Sequence, residues 1–221
     1  MIWESWAFQS RAFRISWYVL NFFIPRLFDW RVSGRANVPL TGAFLVAANH
    51  IALLDPPYAG ACLPRECGYL AKKELFANPF LRWLIVAHNS VPIRRGGWDT
   101  AAFRHVKQKL DHGIPMMVFP EGTRSRSGQF LDPKPGLGLM AIKLGVPILP
   151  VYIDGTQRGL ADLLLRRKPL VCRIGTMITE KTVRKYSDNK DGFQALSNYA
   201  MERIGQLRDQ GQLPEGIEKH A

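Results

Sequence analysis

The stretch NHIALLDPP, at residues 49–57, joins a predicted buried strand to a predicted helix. The apolar, uncharged run of residues 43–48 precedes it, and a short run of this kind bounded by a glycine is typical of a buried strand. After the run, His50 stands five positions before Asp55. The two prolines that follow Asp55 predict a helix start, for which Asp55 is a suitable N-cap.

The pairing of His50 with Asp55 predicts a general base. Because the histidine ends a strand and the aspartate begins a helix, a turn between them can fold the carboxylate back onto the imidazole. An imidazole oriented by a carboxylate is a common general base near neutral pH. The same residues allow a structural interpretation, in which Asp55 only caps the helix and His50 is only a satisfied histidine at a strand edge.

The charge of the chain predicts an anionic partner. The 221 residues carry a formal net charge of +12, and such a charge indicates nucleic acid, an anionic membrane surface or a phosphorylated substrate. The length accommodates one substantial core. The three cysteines form no CxxC pair, and the five histidines are scattered, so the sequence predicts no metal site.

Residues 1–30 hold ten of the 24 aromatic residues. The helical spacing of four and three places four apolar side chains on one face, namely Phe13, Trp17, Leu20 and Ile24. The uncharged part of this segment is shorter than the roughly 20 residues that span a bilayer. Aromatic rings with basic flanks predict a helix that docks this face on a membrane. The alternative is that the face packs on its own domain. We therefore predict a membrane anchor at residues 1–30 and a catalytic domain at residues 31–221.

Two loops carry arginines suited to phosphate. Residues 89–97 form a short extended run that ends in Arg94, Arg95 and a glycine pair. Arginine binds phosphate oxygens through two parallel hydrogen bonds. A solvated basic turn is the alternative for this loop.

The stretch FPEGTRS, at residues 119–125, is predicted to be a loop at the carboxyl end of a strand, where open α/β sheets bind ligands. It supplies three functional groups, the carboxylate of Glu121, the hydroxyl of Thr123 and the guanidinium of Arg124. Gly122 has no side chain and lets a ligand come close to the backbone. Lys134 adds to the positive charge. We expect the neighbouring arginine to lower the pKa of Glu121, which argues against this carboxylate as the base.

Residues 146–153 predict a further apolar strand. It contains Pro147 and Pro150, and proline cannot donate a hydrogen bond to a neighbouring strand. We therefore expect this strand to lie at the edge of the sheet or to be interrupted.

Four motifs in this order resemble the glycerolipid acyltransferase family, in particular its 1-acyl-sn-glycerol-3-phosphate acyltransferases. Residues 50–55 resemble its His-x4-Asp motif, and residues 119–125 match its FPEGTRS motif in full. Residues 91–95 resemble the second motif, with Arg95 at the phosphate-binding arginine, and residues 146–151 resemble the proline-bearing fourth motif. One departure is Asn89, which stands where the second motif usually begins with glycine.

The resemblance implies an α/β fold with a single mixed, largely parallel sheet flanked by helices. It also implies transfer of a fatty acyl group from an acyl carrier protein or coenzyme A thioester to the sn-2 hydroxyl of lysophosphatidate, giving phosphatidate for phospholipid biosynthesis. His50 would take the proton, and Asp55 would orient the ring. Arg95 and Arg124, with Glu121, Gly122 and Thr123, would hold the acceptor phosphate, and Lys134 and Asn89 are further candidate contacts. No cofactor or metal is expected, because the thioester is already activated.

The implied partners are an anionic phospholipid membrane, a lysophospholipid acceptor and the thioester donor, rather than nucleic acid. The implied location is the cell membrane, with peripheral or monotopic attachment and the active site on the cytoplasmic side.

Three alternatives to this function remain open. In the first, the protein is an acyltransferase whose acceptor is a different lysolipid. In the second, it is a lipid hydrolase that uses a serine such as Ser90 together with His50 and Asp55. In the third, it binds membranes without catalysis.

Overall fold

The computed structural model describes residues 10–94, 99–166 and 168–210. Within these residues, seven strands form one sheet. The strands are β1 Trp30–Ser33, β2 Leu45–Ala48, β3 Gly68–Lys72, β4 Ser90–Ile93, β5 Met116–Val118, β6 Ile148–Asp154 and β7 Leu170–Ile174. The helices are α1 Arg11–Leu27, α2 Asp55–Cys62, α3 Pro79–Ala87, α4 Thr100–Asp111, α5 Gly136–Leu144, α6 Leu160–Leu164, α7 Glu180–Val183 and α8 Lys190–Asp209.

The strand order in the sheet is β1-β7-β6-β2-β5-β3-β4. Neighbouring strands run parallel except β6 and β7, which are antiparallel. The predicted α/β fold with a mixed, largely parallel sheet is therefore confirmed. Strand β2 lies at the middle of the order, so the carboxyl end that precedes His50 is flanked by β5 and β6.

Both faces of the sheet are covered by helices, as a parallel sheet requires. In β2, Val46 and Ala48 pack into one apolar cluster, which includes residues of α1 and α2. Leu45 and Ala47 pack into the other cluster, which is built with α4, α5 and α8. This alternation follows from the two-residue period of a strand, and it explains why all four residues of β2 are apolar and buried.

The prediction that β6 lies at an edge or is interrupted is wrong. β6 is an unbroken strand between β7 and β2, and it includes Pro150. The Pro150 carbonyl accepts a hydrogen bond from the Gly175 N–H at 2.9 Å, so the polar backbone of Pro150 faces β7. The β7 ladder begins only at Val151. The missing N–H of Pro150 therefore removes no bond from either ladder.

The prediction that one apolar face of α1 docks on a membrane is also wrong, because that face packs into the core of the protein. Phe13, Trp17 and Ile24 are buried, and the partly buried Leu20 packs against the same cluster. The indole N–H of Trp17 donates to the Leu63 carbonyl at 2.7 Å, which fixes α1 on the chain just after α2. The alternative, packing on the same domain, is the correct one for this face. The domain boundary at residue 30 stays a prediction.

The opposite face of α1 is apolar and exposed. Its exposed large side chains are Ile15, Tyr18, Val19, Phe22, Phe23 and Leu27. In the part of the chain that the structure describes, no helix has both the length and the apolar character needed to span a bilayer.

The close approach of α5 and α8 depends on Gly138. A Cβ atom at this position would lie 2.0 Å from the Phe193 carbonyl oxygen of α8, a backbone atom that cannot rotate away. We expect Gly138→Ala to lower the free energy of unfolding by about 1–3 kcal/mol, as overpacking does. Gly136→Ala is the matched control, because a Cβ there meets nothing within 4 Å. A helical alanine should leave stability unchanged or raise it by about 0.5–1 kcal/mol. Urea unfolding measures the free energy of unfolding of both variants, and equal midpoints for the two would contradict the expected cost at Gly138.

Candidate active site

The His50–Asp55 pair lies at the carboxyl end of β2. His50 follows the strand by two residues, and Asp55 is the first residue of α2. The turn between them brings the His50 Nδ1 to 2.8 Å from the Asp55 Oδ2. The Asp55 side chain is fully buried, whereas 12% of the His50 side chain is exposed. The predicted fold-back of the carboxylate onto the imidazole is thus present, and the ring has access to the surface.

Asp55 does not cap α2, contrary to the prediction. Its Oδ2 accepts the backbone N–H groups of Ile51 at 2.6 Å and Ala52 at 2.8 Å, which lie before the helix. One reason is that Pro57 has no N–H to be capped. The Tyr58 N–H, the other group that an N-cap at position 55 would accept, donates instead to the Leu54 carbonyl at 3.0 Å. The carboxylate therefore holds the turn and the imidazole.

The His50 ring is fixed from two sides. It stacks on the Phe119 ring, with 4.1 Å between the ring centroids and 21° between the planes. Because Nδ1 faces the carboxylate, the Nδ1–H tautomer is favoured, and Nε2 then carries the lone pair. An imidazole held in this way can accept a proton at Nε2 and share the resulting positive charge with Asp55.

Glu121 supports the backbone of the site. Its Oε1 accepts the His50 N–H at 2.8 Å, and its Oε2 accepts the Leu131 N–H at 2.9 Å. The side chain is buried, and this burial raises the pKa of Glu121 above its ordinary value. The predicted lowering of this pKa is wrong because Arg124 is exposed, and no ion pair joins the two among the residues described. The predicted phosphate contact of Glu121 is also wrong, since both of its oxygens face the protein backbone.

The rest of the FPEGTRS loop wraps around His50. The Ser125 N–H donates to the His50 carbonyl at 2.8 Å, and the Lys134 N–H donates to the Pro120 carbonyl at 2.8 Å. Gly122 has a φ of 69°, a left-handed angle that glycine adopts without strain. The exposed residues of the loop and its neighbour are Gly122, Thr123, Arg124 and Lys134. Their exposure next to His50 leaves them as candidates for binding an anionic group.

Asn89 and Ser90, which the sequence offered as a substrate contact and as the serine of a hydrolase, are not part of this site. Asn89 lies before the amino end of β4, at the edge of the sheet opposite to His50. Its side chain donates to the Glu66 carboxylate and accepts from the Lys109 ammonium at 2.8 Å, so it is fully engaged within the protein. The expectation that Asn89 contacts substrate is therefore wrong. Ser90, the serine suggested for a hydrolase, lies at the same amino end. Arg95 falls outside the described residues, and its role stays a prediction.

Two residues of the site were missed by sequence reasoning. The Thr156 hydroxyl donates to the Asp55 Oδ1 at 2.5 Å. The Asn49 side chain is buried and forms two hydrogen bonds with the backbone of Ile153, at 2.9 and 2.8 Å. Thr156 follows the carboxyl end of β6, the strand beside β2. The rule that ligands and functional groups gather at the carboxyl ends of parallel strands could have identified it.

Comparison with known proteins identifies the family of this chain. The protein-family model described as Acyltransferase matches residues 29–154, which is more than half of the chain. The chain belongs to this acyltransferase family. The matched part of the chain contains His50, Asp55 and Glu121, and it ends two residues before Thr156.

Several relatives carry more specific names. The chain is 34% identical over 131 residues to a 1-acyl-sn-glycerol-3-phosphate acyltransferase of Borreliella burgdorferi, covering 57% of this chain and 51% of that protein. It is 30% identical over 148 residues to a lyso-ornithine lipid O-acyltransferase of Pseudomonas aeruginosa, covering 66% of this chain and 55% of that protein. The chain thus spans about half the length of the curated relatives it matches.

A solved structure shares the fold of this chain. The crystal structure of the 1-acyl-sn-glycerophosphate (LPA) acyltransferase PlsC from Thermotoga maritima superposes with a TM-score of 0.70 at 26% identity. The match covers 92% of this chain and 81% of that chain. It therefore includes strands and helices well beyond residues 29–154.

Proposed function

We propose that this protein transfers a fatty acyl group from an acyl thioester to the sn-2 hydroxyl of lysophosphatidate, with phosphatidate as the product. The observation that carries this proposal is the buried Asp55 carboxylate, 2.8 Å from the Nδ1 of a partly exposed His50 at the carboxyl end of β2. Family membership and the printed names of several relatives support it. The donor is a thioester of acyl carrier protein or coenzyme A.

The proposed step is direct attack of the acceptor hydroxyl on the thioester. His50 Nε2 takes the hydroxyl proton as the oxygen forms a bond to the thioester carbonyl carbon. The tetrahedral intermediate then expels the thiolate, which takes up the proton from the imidazolium. Asp55 stabilises the imidazolium during this step, and it stays ionised throughout. The proposed step uses no acyl-enzyme, and the position of Ser90 at the opposite end of the sheet from His50 supports this.

The acceptor phosphate is proposed to bind on the FPEGTRS loop. Arg124 and Lys134 are exposed cations on this side of His50, and the glycine at position 122 lets a ligand approach the backbone closely. Glu121 acts behind this surface by holding the His50 backbone. Arg95 remains a proposed phosphate ligand on the resemblance alone.

The acceptor is tested by offering the purified protein one acyl thioester with a panel of lysolipids. The panel contains lysophosphatidate, a lyso-ornithine lipid and a neutral-headgroup lysolipid, and the products are identified by mass spectrometry. We expect phosphatidate to form fastest. Faster acylation of the lyso-ornithine lipid would contradict lysophosphatidate as the acceptor and keep the acyltransferase proposal. Release of fatty acid without any acceptor would indicate a hydrolase.

We infer that the exposed faces of α1 and α3 form a docking surface for an anionic phospholipid membrane. The carboxyl end of α3 contacts the first turns of α1, because the Ser10 hydroxyl donates to the Ala87 carbonyl at 2.7 Å and His88 Nε2 lies 2.9 Å from the Ser16 hydroxyl. This apolar face consists of the exposed side chains Ile15, Tyr18, Val19, Phe22, Phe23 and Leu27 of α1 and Phe80, Trp83 and Val86 of α3.

The charges beside the apolar face fit anionic headgroups. Arg11, Arg14 and Arg26 are exposed on α1. Basic residues strengthen binding to anionic lipids when they lie beside aromatic rings that insert into the membrane. The loop that joins His50 to Asp55 exposes Leu53 and Leu54, which are 69% and 62% accessible. Attachment through these surfaces would place the reacting groups where both lysolipid and product reside, on the cytoplasmic side of the cell membrane.

The docking surface is tested by the double substitution Phe22→Ser and Phe23→Ser. Because both rings are about half exposed, their loss should leave the free energy of unfolding nearly unchanged. Each phenylalanine transferred to an apolar phase contributes about 1.5–3 kcal/mol, so we expect binding to anionic vesicles to weaken at least about tenfold. Leu40→Ser, an exposed leucine outside both helices, is the control. Unchanged sedimentation of the double variant with vesicles would contradict the assignment.

A further inference from the structure

Thr156 connects the loop after β6 to the His50–Asp55 pair. Its hydroxyl is 2.5 Å from the Asp55 Oδ1, although the two residues are 101 positions apart in the chain. A threonine hydroxyl that donates its hydrogen to a carboxylate has none left for a substrate. Thr156 therefore donates no hydrogen bond to a substrate while its hydroxyl holds Asp55.

The two oxygens of Asp55 are held by different parts of the fold. Among the residues that the structure describes, the partners of Oδ2 all come from residues 50–52, namely the His50 ring and the N–H groups of Ile51 and Ala52. Oδ1 is bound by Thr156. A turn of the carboxylate about its Cβ–Cγ bond moves both oxygens, and it would change the direction in which Oδ2 meets the ring. The donors on Oδ2 resist this turn, and the Thr156 hydroxyl on Oδ1 adds a second point of attachment that resists it.

The loop that carries Thr156 is itself fixed. Asn49 pairs with both polar groups of the Ile153 backbone, which ties the end of β2 to the end of β6. Gly155 has a φ of 98°, and a Cβ atom there would lie 2.5 Å from the Pro169 carbonyl oxygen. The Gly155 N–H also donates to the Gln157 side chain at 3.1 Å. The hydroxyl of Thr156 is thus held against Asp55 by a rigid turn.

We propose that Thr156 is a positioning residue for acyl transfer, which sets the plane of the Asp55 carboxylate and thereby the orientation of the His50 ring. This inference rests on the proposed function for its kinetic consequence, but its effect on the His50–Asp55 hydrogen bond is independent of any substrate. It extends the site beyond the four sequence motifs, because residue 156 follows the fourth of them.

The kinetic test compares Thr156→Val with Thr156→Ser. Valine keeps the shape and removes the hydroxyl, whereas serine keeps the hydroxyl. Because a hydrogen bond to a charged group is involved, we expect valine to lower kcat about 10- to 100-fold with little change in KM for either substrate. Serine should restore kcat to within about threefold. Thr176→Val is the matched control, since Thr176 Oγ1 accepts a hydrogen bond from the Arg203 guanidinium outside the site. A raised KM with unchanged kcat, or equal loss in both Thr156 variants, would overturn the proposal.

The substrate-free test is the NMR signal of the His50 ring in protein labelled with nitrogen-15 histidine. The Nδ1–H signal is assigned by its absence from His50→Ala. We expect a strongly downfield signal in the wild type and in Thr156→Ser, and its upfield movement or loss in Thr156→Val. An unchanged signal in Thr156→Val would overturn the positioning role. If the wild type acylates no lysolipid, the proposed function fails, and this measurement still decides the role of Thr156.

Discussion

Replacing His50 by alanine is expected to lower the rate of acyl transfer by about 10²- to 10⁴-fold, the usual contribution of a positioned general base. Without the imidazole, nothing at this position takes up the acceptor's proton as the new ester bond forms. Folding should be nearly unaffected, because Asp55 keeps the Ile51 and Ala52 N–H groups and the Thr156 hydroxyl as partners. The initial rate of phosphatidate formation measures the first effect, and urea unfolding measures the second.

His112→Ala is the control for this experiment. His112 is an exposed histidine at the end of α4, where its Nδ1 lies 2.7 Å from the Gln108 carbonyl oxygen. It precedes the amino end of β5, at the sheet edge opposite to His50. We expect its loss to leave the rate unchanged. A His50→Ala protein that folds normally and keeps more than a few per cent of the wild-type rate would contradict the role of His50 as the base.

Replacing Glu121 by glutamine should lower both activity and stability. A carboxylate can accept the His50 and Leu131 N–H groups together, whereas an amide offers one oxygen and one NH₂. One buried N–H therefore loses its acceptor, which costs about 1–3 kcal/mol of the free energy of unfolding. If His50 moves by about 1 Å as a result, transfer slows by about 10²-fold. Urea unfolding and the initial rate measure the two effects, and Glu202→Gln, an exposed glutamate of α8, is the control.

The effect of Glu121 on stability should also depend on pH. Burial raises the pKa of Glu121 in the folded protein above its ordinary value. Between the unfolded and the folded pKa, the folded state binds more protons than the unfolded state, so stability contributed by this group falls as the pH rises through that window. The difference in free energy of unfolding between wild type and Glu121→Gln should therefore be largest at the acidic end of the window. A difference that grows with rising pH would contradict the buried, raised-pKa carboxylate.

The local pattern of the chain predicts much of the fold and the centre of the site. The apolar run before His50 is β2, and the prolines after Asp55 begin α2 as expected. The five positions between the two side chains allow a turn that brings them together, and the structure shows this contact. The mixed, largely parallel sheet is implied by the motifs together, and the structure confirms it.

The errors arise where a distant part of the chain decides the outcome. Helical spacing shows that Phe13 and Trp17 share a face of α1, but it cannot show that α2 and the chain after it cover that face. The sequence places Glu121 beside Arg124, but only the fold buries the first and exposes the second. Thr156 reaches Asp55 across 101 positions, so no local pattern indicates the contact.

In the proposed mechanism, the acyl group moves directly from a thioester to a lysolipid hydroxyl, with His50 as the base and Asp55 as its partner. The most direct test is to follow thiol release from the thioester and phosphatidate formation at the same time, with and without lysophosphatidate. We predict one phosphatidate for each thiol when the acceptor is present and negligible thiol release when it is absent. Thiol release at the same rate without the acceptor, with free fatty acid as the product, would contradict the account.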